Sequence, residues 1–453
     1  MLQNVRALLS ALEERLEHPT ARGLVAAVTL AIADGVLVPG TKLPPIRTIA
    51  TELALSPTTV SSAWALLARS GTVRTAGRHG TTVLDVTGAG VGRYRRALAQ
   101  PAPLAQDLST GVPDQDLLPT LGVVLSQVDR AGTPNSYLQD PVLPELAELL
   151  RADWPYPPPR LAVVDGAMDA LDLVTRTALR PGDRVVVEHP CFPPVVDLLE
   201  ALSVEIVGVP VDDEGLDPDA FAQALQRPVA AVVLQPRGQN PTGVTTTRRR
   251  ARRLAELVGL GETLVIEDDS AHGLSPTPAL SLGEWLPEQS VHIRSFSKSY
   301  GPDLRLAAMS GPPELMRAVD RRRHLGQGWS SRLLQRILVG LLTEPAAVAQ
   351  VERAQQEYAR RRRLLRDALA ARSVSVGGTE GLNMWIPVED ETAAVVRLAS
   401  QGIGVSAGSP FAALPTPQGH VRLTCGLVVE GHDDLAQRIA DAAQTVGWGA
   451  RAR

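Results

Sequence analysis

At 453 residues, with 44% hydrophobic and 21% charged side chains, the chain has room for about two to four folded units, and this balance excludes a disordered or fibrous protein. The net charge of −4 is unevenly spread: residues 1–85 carry 8 Lys/Arg against 6 Asp/Glu, and the remainder 37 against 43, so a mildly basic segment precedes an acidic body. Cys191 and Cys425 are too few and too far apart for a disulfide framework or a metal centre. No apolar run of about 18 residues marks a leader or a membrane span, so a reducing cytoplasm is the expected compartment.

The chain opens on three helical patterns followed by a hairpin. Arg47 to Leu53 reads as a short helix and "LALS" as a turn. Thr58 to Arg69 reads as a second helix, with Ala63, Leu66 and Leu67 spaced for a core-facing stripe. Its first residues, Thr58, Thr59, Ser61 and Ser62, are short donors and acceptors suited to base edges and phosphates. In "TVRTAGRHGTTVLD" two β-prone runs meet at a glycine-containing turn, and Arg74, Arg78 and His79 supply positive charge there. Helix, turn, helix and basic hairpin in this order point to double-stranded DNA, with Arg47 as a further contact. We place this domain at 1–85. A linker follows at 86–106, where Gly, Ala, Pro and Arg mix without apolar periodicity.

From residue 107 to the end, β-branched runs alternate with helical stretches: "RLAVVDG" with "AMDALDLVTRTAL", "DRVVVEHP" with "PPVVDLLEAL", and "AAVVLQP" with "TTRRRARRLAELV", before "TLVIEDD". Such alternation predicts a parallel sheet covered by helices on both faces, an α/β large domain at about 140–330. Ligands bind at the carboxyl ends of strands in such sheets, where Asp165, His189, Pro236 and Asp268 fall. The rest, about 107–139 with 331–453, reads as a smaller α+β domain whose strands are "GLNMWIPV" and "HVRLTCGLV". The arginine-rich run at 245–253 reads as the solvated face of a helix.

Only two of the 45 basic residues are lysines, Lys42 and Lys298. A primary amine condenses with an aldehyde to a Schiff base, and a permanently protonated guanidinium does not, so Lys298 is the candidate nucleophile. Gly166 follows a strand and opens a helix, which aims Ala167 and Met168 backbone N–H groups at a phosphate; Ser295 and Arg305 flank the lysine as further phosphate ligands. Asp268 could hold a pyridine nitrogen protonated, and Phe192 offers a flat face to a ring. Together these residues describe a pocket for pyridoxal phosphate.

The motif order "GVPDQDLLP", "SYLQDP", "DGAMDALDL", "EHPCFPP", "QNPTG", "IEDD", "SFSK" and "VRLT" resembles the fold type I aminotransferases, and residues 13–85 resemble the GntR-type winged helix-turn-helix. The two together resemble the MocR subfamily of transcriptional regulators. The resemblance implies an internal aldimine on Lys298, Asp268 on the pyridine nitrogen, Asn240 on the ring hydroxyl and Arg422 on an effector carboxylate. It also implies that Tyr137 reaches the phosphate of the neighbouring subunit in a head-to-tail homodimer. Sensing would run through external aldimine formation with an amino acid or amine, or through pyridoxal phosphate itself, with a working aminotransferase as the alternative. There are three departures from the pattern. Ser270 and Ala271 stand where a tyrosine normally touches the ring hydroxyl, which speaks against efficient transamination. Asp303 replaces a common glycine, and Asp165 replaces a serine beside the phosphate helix.

Overall fold

The computed structural model describes residues 2–16, 18–38, 40–69, 72–75, 80–83, 92–93, 104–128 and 140–445. Tyr137, Arg78 and His79, together with most of the expected linker, lie outside the described residues.

The N-terminal region runs α1 (Leu2–Glu13), α2 (Ala21–Ala33), β1 (Lys42–Leu43), α3 (Ile46–Glu52), α4 (Pro57–Arg69), β2 (Val73–Thr75) and β3 (Thr81–Val83). Among the described residues, four helices stand where three were expected. The hairpin is a three-stranded antiparallel sheet ordered β1-β3-β2, because Lys42 and Leu43 pair with Thr82 and Thr81. A two-residue strand leaves no alternation to read. Val60, Ala63, Trp64 and Leu67 recur at helical spacing along α4 and are buried against Leu24, Val28 and Ile49, which fixes the opposite face outward. Ser56 Oγ accepts the Thr59 N–H at 3.0 Å, the bond that an N-cap makes, and Pro57 follows at the first helical position, where its missing N–H costs nothing.

Beyond residue 104 the chain builds an eight-stranded sheet in the order β5-β12-β11-β10-β9-β6-β7-β8. The strands are β5 (Leu161–Val164), β6 (Arg184–His189), β7 (Glu205–Asp212), β8 (Gly215–Leu216), β9 (Ala231–Leu234), β10 (Leu264–Asp269), β11 (Ser290–Ser295) and β12 (Ala307–Ser310). β9, β10 and β11 are parallel, as the alternation predicts. β12 corrects that expectation by running antiparallel to both β11 and β5. The Phe296–Leu306 connection between β11 and β12 is shorter than the dozen or so residues that a parallel crossover needs.

A second, smaller layer forms from the sheet β13-β16-β15, with β13 (Met384–Val388) and β15 (Ser406–Ala407) antiparallel to β16 (Gly419–Leu423). The helices Pro345–Ala370, Glu391–Ser400 and His432–Ala443 contribute Leu365, Leu369, Leu398 and Ile439 to its core. The segment β4 (Gln106–Asp107) returns to this layer by pairing in parallel with β14 (Ile403–Gly404), and Leu108 is buried in the same core. That return brings the Gly111 carbonyl to Lys298, three residues past the end of β11. Among the described residues, no helix is long and apolar enough to cross a membrane.

Candidate functional site

The carboxyl ends of the strands converge on one place. β5 ends just before Asp165 and Gly166, and the helix Ala167–Ala178 starts at once, which leaves its first N–H groups without helical partners. Gly166 has φ +107° and Arg305 has φ +50°, two left-handed conformations facing one another. Arg305 Nη2 donates to the Asp165 carbonyl at 3.0 Å, so its guanidinium lies over the helix start. Ser295, buried, ends β11 and accepts the Ser297 N–H at 3.4 Å. The helix start and Arg305 together make a cup whose chemistry suits an anion, with one fixed cation. It also carries Asp169 in the first turn, whose carboxylate accepts the Asp165 N–H at 3.0 Å; burial holds its acid above the usual range.

Lys298 lies in the short helix Ser297–Tyr300 and donates from Nζ to the Gly111 carbonyl at 2.6 Å. Burial and then the neighbouring Arg422 lower its amine to about 8, against the pull of Asp268. A lysine at that value holds a usable fraction of free amine at neutral pH. Asp268, 3% exposed, is raised to about 6, first by burial. Its Oδ2 accepts from Gln235 Nε2 at 2.7 Å, while its Oδ1 is buried with no protein partner. A buried carboxylate oxygen left open in this way fits a cationic N–H from a ligand, such as a protonated pyridine nitrogen.

Asn240 donates its backbone N–H to Gln235 Oε1 at 2.9 Å and receives Arg422 Nη1 on Oδ1 at 3.5 Å. Arg422, 1% exposed in β16, also donates to the Ser109 carbonyl and, at 3.2 Å, to Ser406 Oγ, with its guanidinium 5.1 Å from the Phe411 ring centroid. Phe192 is half-buried just after Cys191, whose N–H binds the Phe411 carbonyl at 2.8 Å. Lys298, Asp268, Asn240 and Arg422 are thus linked through shared neighbours, while Arg305 lies against Gly166 where the Ala167–Ala178 helix begins.

Three contributors escaped the sequence reading. Gly111 supplies a carbonyl from 187 residues away, a contact with no local signature. Gln235 bridges Asp268 and Ser270, reaching Ser270 Oγ at 3.1 Å. Glu188 accepts the Gln235 N–H at 3.1 Å and Gln239 Nε2 at 3.2 Å. The available signal was a polar residue closing each of two buried apolar strands. Of the arginine run at 245–253, Arg248, Arg249, Arg252 and Arg253 lie on the solvated helix face expected of them, whereas Arg250 departs from that expectation: it is buried, pairs with Asp212 and donates to the Gly215 and Leu216 carbonyls.

In the N-terminal region, Arg47, Thr58, Ser61 and Arg74 are exposed and Thr59 is half-buried. The Thr58 and Thr59 hydroxyls lie 2.7 and 2.8 Å from Ser56 Oγ, so the start of α4 is a cluster of three hydroxyls.

The chain belongs to the aminotransferase class I and II family, whose model matches residues 106–439, and it carries the domain of the gntR family of bacterial regulatory proteins over residues 20–83, which makes it a MocR-type transcriptional regulator. It is 31% identical over 425 residues to the vitamin B6 salvage pathway transcriptional repressor PtsJ of Salmonella typhimurium, covering 90% of this chain and 95% of that one. It is 27% identical over 399 residues to the HTH-type pyridoxine biosynthesis transcriptional regulator PdxR of Corynebacterium glutamicum, covering 84% and 86%. Among solved structures, the α-aminoadipate aminotransferase LysN of Thermus thermophilus shares the fold, with a TM-score of 0.69 at 22% identity over 80% of this chain and 98% of that one.

Proposed function

We propose that this regulator binds pyridoxal phosphate on Lys298 and uses the loaded pocket to sense the vitamin or an amino compound. The observation that carries the reading is the open, buried Oδ1 of Asp268 in a site that also presents a buried lysine amine and an anion cup. In this reading Gly166, Ala167, Met168, Ser295 and Arg305 take the phosphate, Asn240 the ring hydroxyl, Phe192 the ring face and Asp268 the ring nitrogen. Arg422 takes the carboxylate of an amino acid, and Tyr137 reaches the phosphate of a second copy in a head-to-tail homodimer. The bound cofactor supplies an electrophilic carbon to a primary amine.

What the residues themselves do follows from their geometry. Lys298 holds its amine neutral enough to attack and to be displaced. Asp268 fixes the ring by a charge-assisted bond in a buried place, where such bonds are strong. Ser270 and Ala271, in place of a tyrosine, leave the ring hydroxyl with Asn240 alone, which favours holding an amine over turning it over. The names of the PtsJ and PdxR relatives, both tied to vitamin B6, support the vitamin as the sensed signal. An amine that prefers one pocket shape would shift the population of shapes by its differential affinity.

DNA contacts come from Arg47, Thr58, Thr59, Ser61 and Arg74, with Arg78 and His79 on the wing, and the site of action is the cytoplasm. The domain limits follow the same reading: 1–85, a linker to 106, and the cofactor domain beyond. Borohydride reduction of pyridoxal-phosphate-treated protein followed by peptide mapping tests the proposal. The label belongs on Lys298. A label on Lys42 alone, or none, sinks it.

A further inference from the structure

Gln235 follows the last residue of β9, is 6% exposed, and has every polar group of its side chain in use. Its Oε1 accepts the Asn240 N–H at 2.9 Å, and this bond fixes which way the amide faces. Nε2 must then point the other way, where its two hydrogens meet Asp268 Oδ2 at 2.7 Å and Ser270 Oγ at 3.1 Å. The backbone N–H of the same residue is held by Glu188 Oε2 at 3.1 Å, and Glu188 in turn takes Gln239 Nε2 at 3.2 Å. The amide can neither flip nor drift without losing bonds at both ends.

The consequence falls on Asp268. A carboxylate with both oxygens free would rotate about its Cβ–Cγ bond. Here Oδ2 is pinned by Gln235, and only Oδ1 stays open, buried and without a protein partner. We propose that Gln235 is a positioning residue that aims Asp268 Oδ1 at the ring nitrogen of the cofactor. The same amide ties that contact to the Asn240 loop through the Asn240 N–H. This inference rests on the reading that the pocket takes pyridoxal phosphate; it adds the residue that makes the pocket selective for a basic ring nitrogen.

The test compares two ligands on the full-length protein: pyridoxal phosphate, and its analogue with a C–H in place of the ring nitrogen. Both keep the aldehyde and the phosphate, so both can load onto Lys298. The wild type should prefer the nitrogen-bearing ligand. In Gln235→Leu that preference should shrink by about tenfold or more, the scale of one lost hydrogen bond to a charged group, while affinity for the analogue stays within about twofold. Gln235→Glu keeps the side chain's shape and its bond to Asn240 but sets a second carboxyl against Asp268; it should lose the same preference. Equal losses toward both ligands would mark Gln235 as a general packing residue and overturn the inference, as would an unchanged preference in both variants. If the wild type loads neither ligand on Lys298, the cofactor reading itself fails, and this inference fails with it.

Discussion

The Arg305 guanidinium lies so close over Gly166 that a Cβ built on the glycine would come to 3.0 Å from Nη2 and 3.3 Å from Cζ. The backbone adds a second obstacle, since φ +107° is strained for any L side chain. Gly166→Ala should therefore displace Arg305 and cost on the order of 1–3 kcal/mol of stability. Its affinity for pyridoxal phosphate should fall toward that for unphosphorylated pyridoxal. Thermal melts and the ratio of the two affinities check both parts.

Covalent attachment at Lys298 should follow the free amine. Because burial and Arg422 bring that amine down to about 8, the rate of chromophore formation should climb with pH up to about 8 and level off above it. Below that value it should drop by roughly tenfold per pH unit. Stopped-flow absorbance at fixed cofactor concentration gives the profile; a rate still rising steeply at pH 10 would mean a solvated lysine.

Glu188, 3% exposed, is raised to about 8 by burial, with the bonds from Gln235 and Gln239 opposing and Asp268 reinforcing the shift. The fold thus binds the proton more tightly than the unfolded chain, where the value is 4.5. The stability it contributes is fully present below 4.5 and is lost as pH rises through about 8. Glu188→Gln should flatten the decline of Tm across that window and leave the protein more stable than wild type at pH 9. Parallel Tm curves for the two proteins would show that Glu188 stays ionised.

Arg422→Ala should retain cofactor, since Lys298, Ser295 and Arg305 are untouched, yet lose the spectral response to amino acids. The loss should amount to about 2–5 kcal/mol, much of it from an unpaired carboxylate. Amines without a carboxylate should still react. Titration of both proteins with paired amino acids and their decarboxylated amines decides the matter.

Arg74, exposed on β2, is expected to touch phosphate alone. Arg74→Ala should weaken binding to all duplexes alike and reduce the slope of log affinity against log salt by about 0.9. Thr59→Val should instead change preference at one base position while the slope holds. Filter binding across a salt series separates the two effects.

The sequence discloses most of what is local. Gly166, Asp268 and Ser295 stand out because each closes a strand or opens a helix, and Lys298 because arginine fills nearly every other basic position. The α4 stripe shows through the spacing of Ala63, Leu66 and Leu67. The remainder depends on contacts between distant segments. Gly111 reaches Lys298 through a backbone carbonyl, which no residue type announces, and Gln235 acquires its role only when Asn240 and Asp268 fold around it. The reversed direction of β12 was hidden because Ala307–Ser310 is as apolar as its parallel neighbours; only the short connection behind it carried the information.

The shortage of lysine has a practical side. The side chains of this sequence offer an acylating reagent two amines, Lys42 exposed on β1 and Lys298 half-buried in the pocket. Each address lies in a different part of the molecule. Peptide-resolved acylation kinetics would therefore report the accessibility of β1 and of the pocket separately in one tube, without an engineered label.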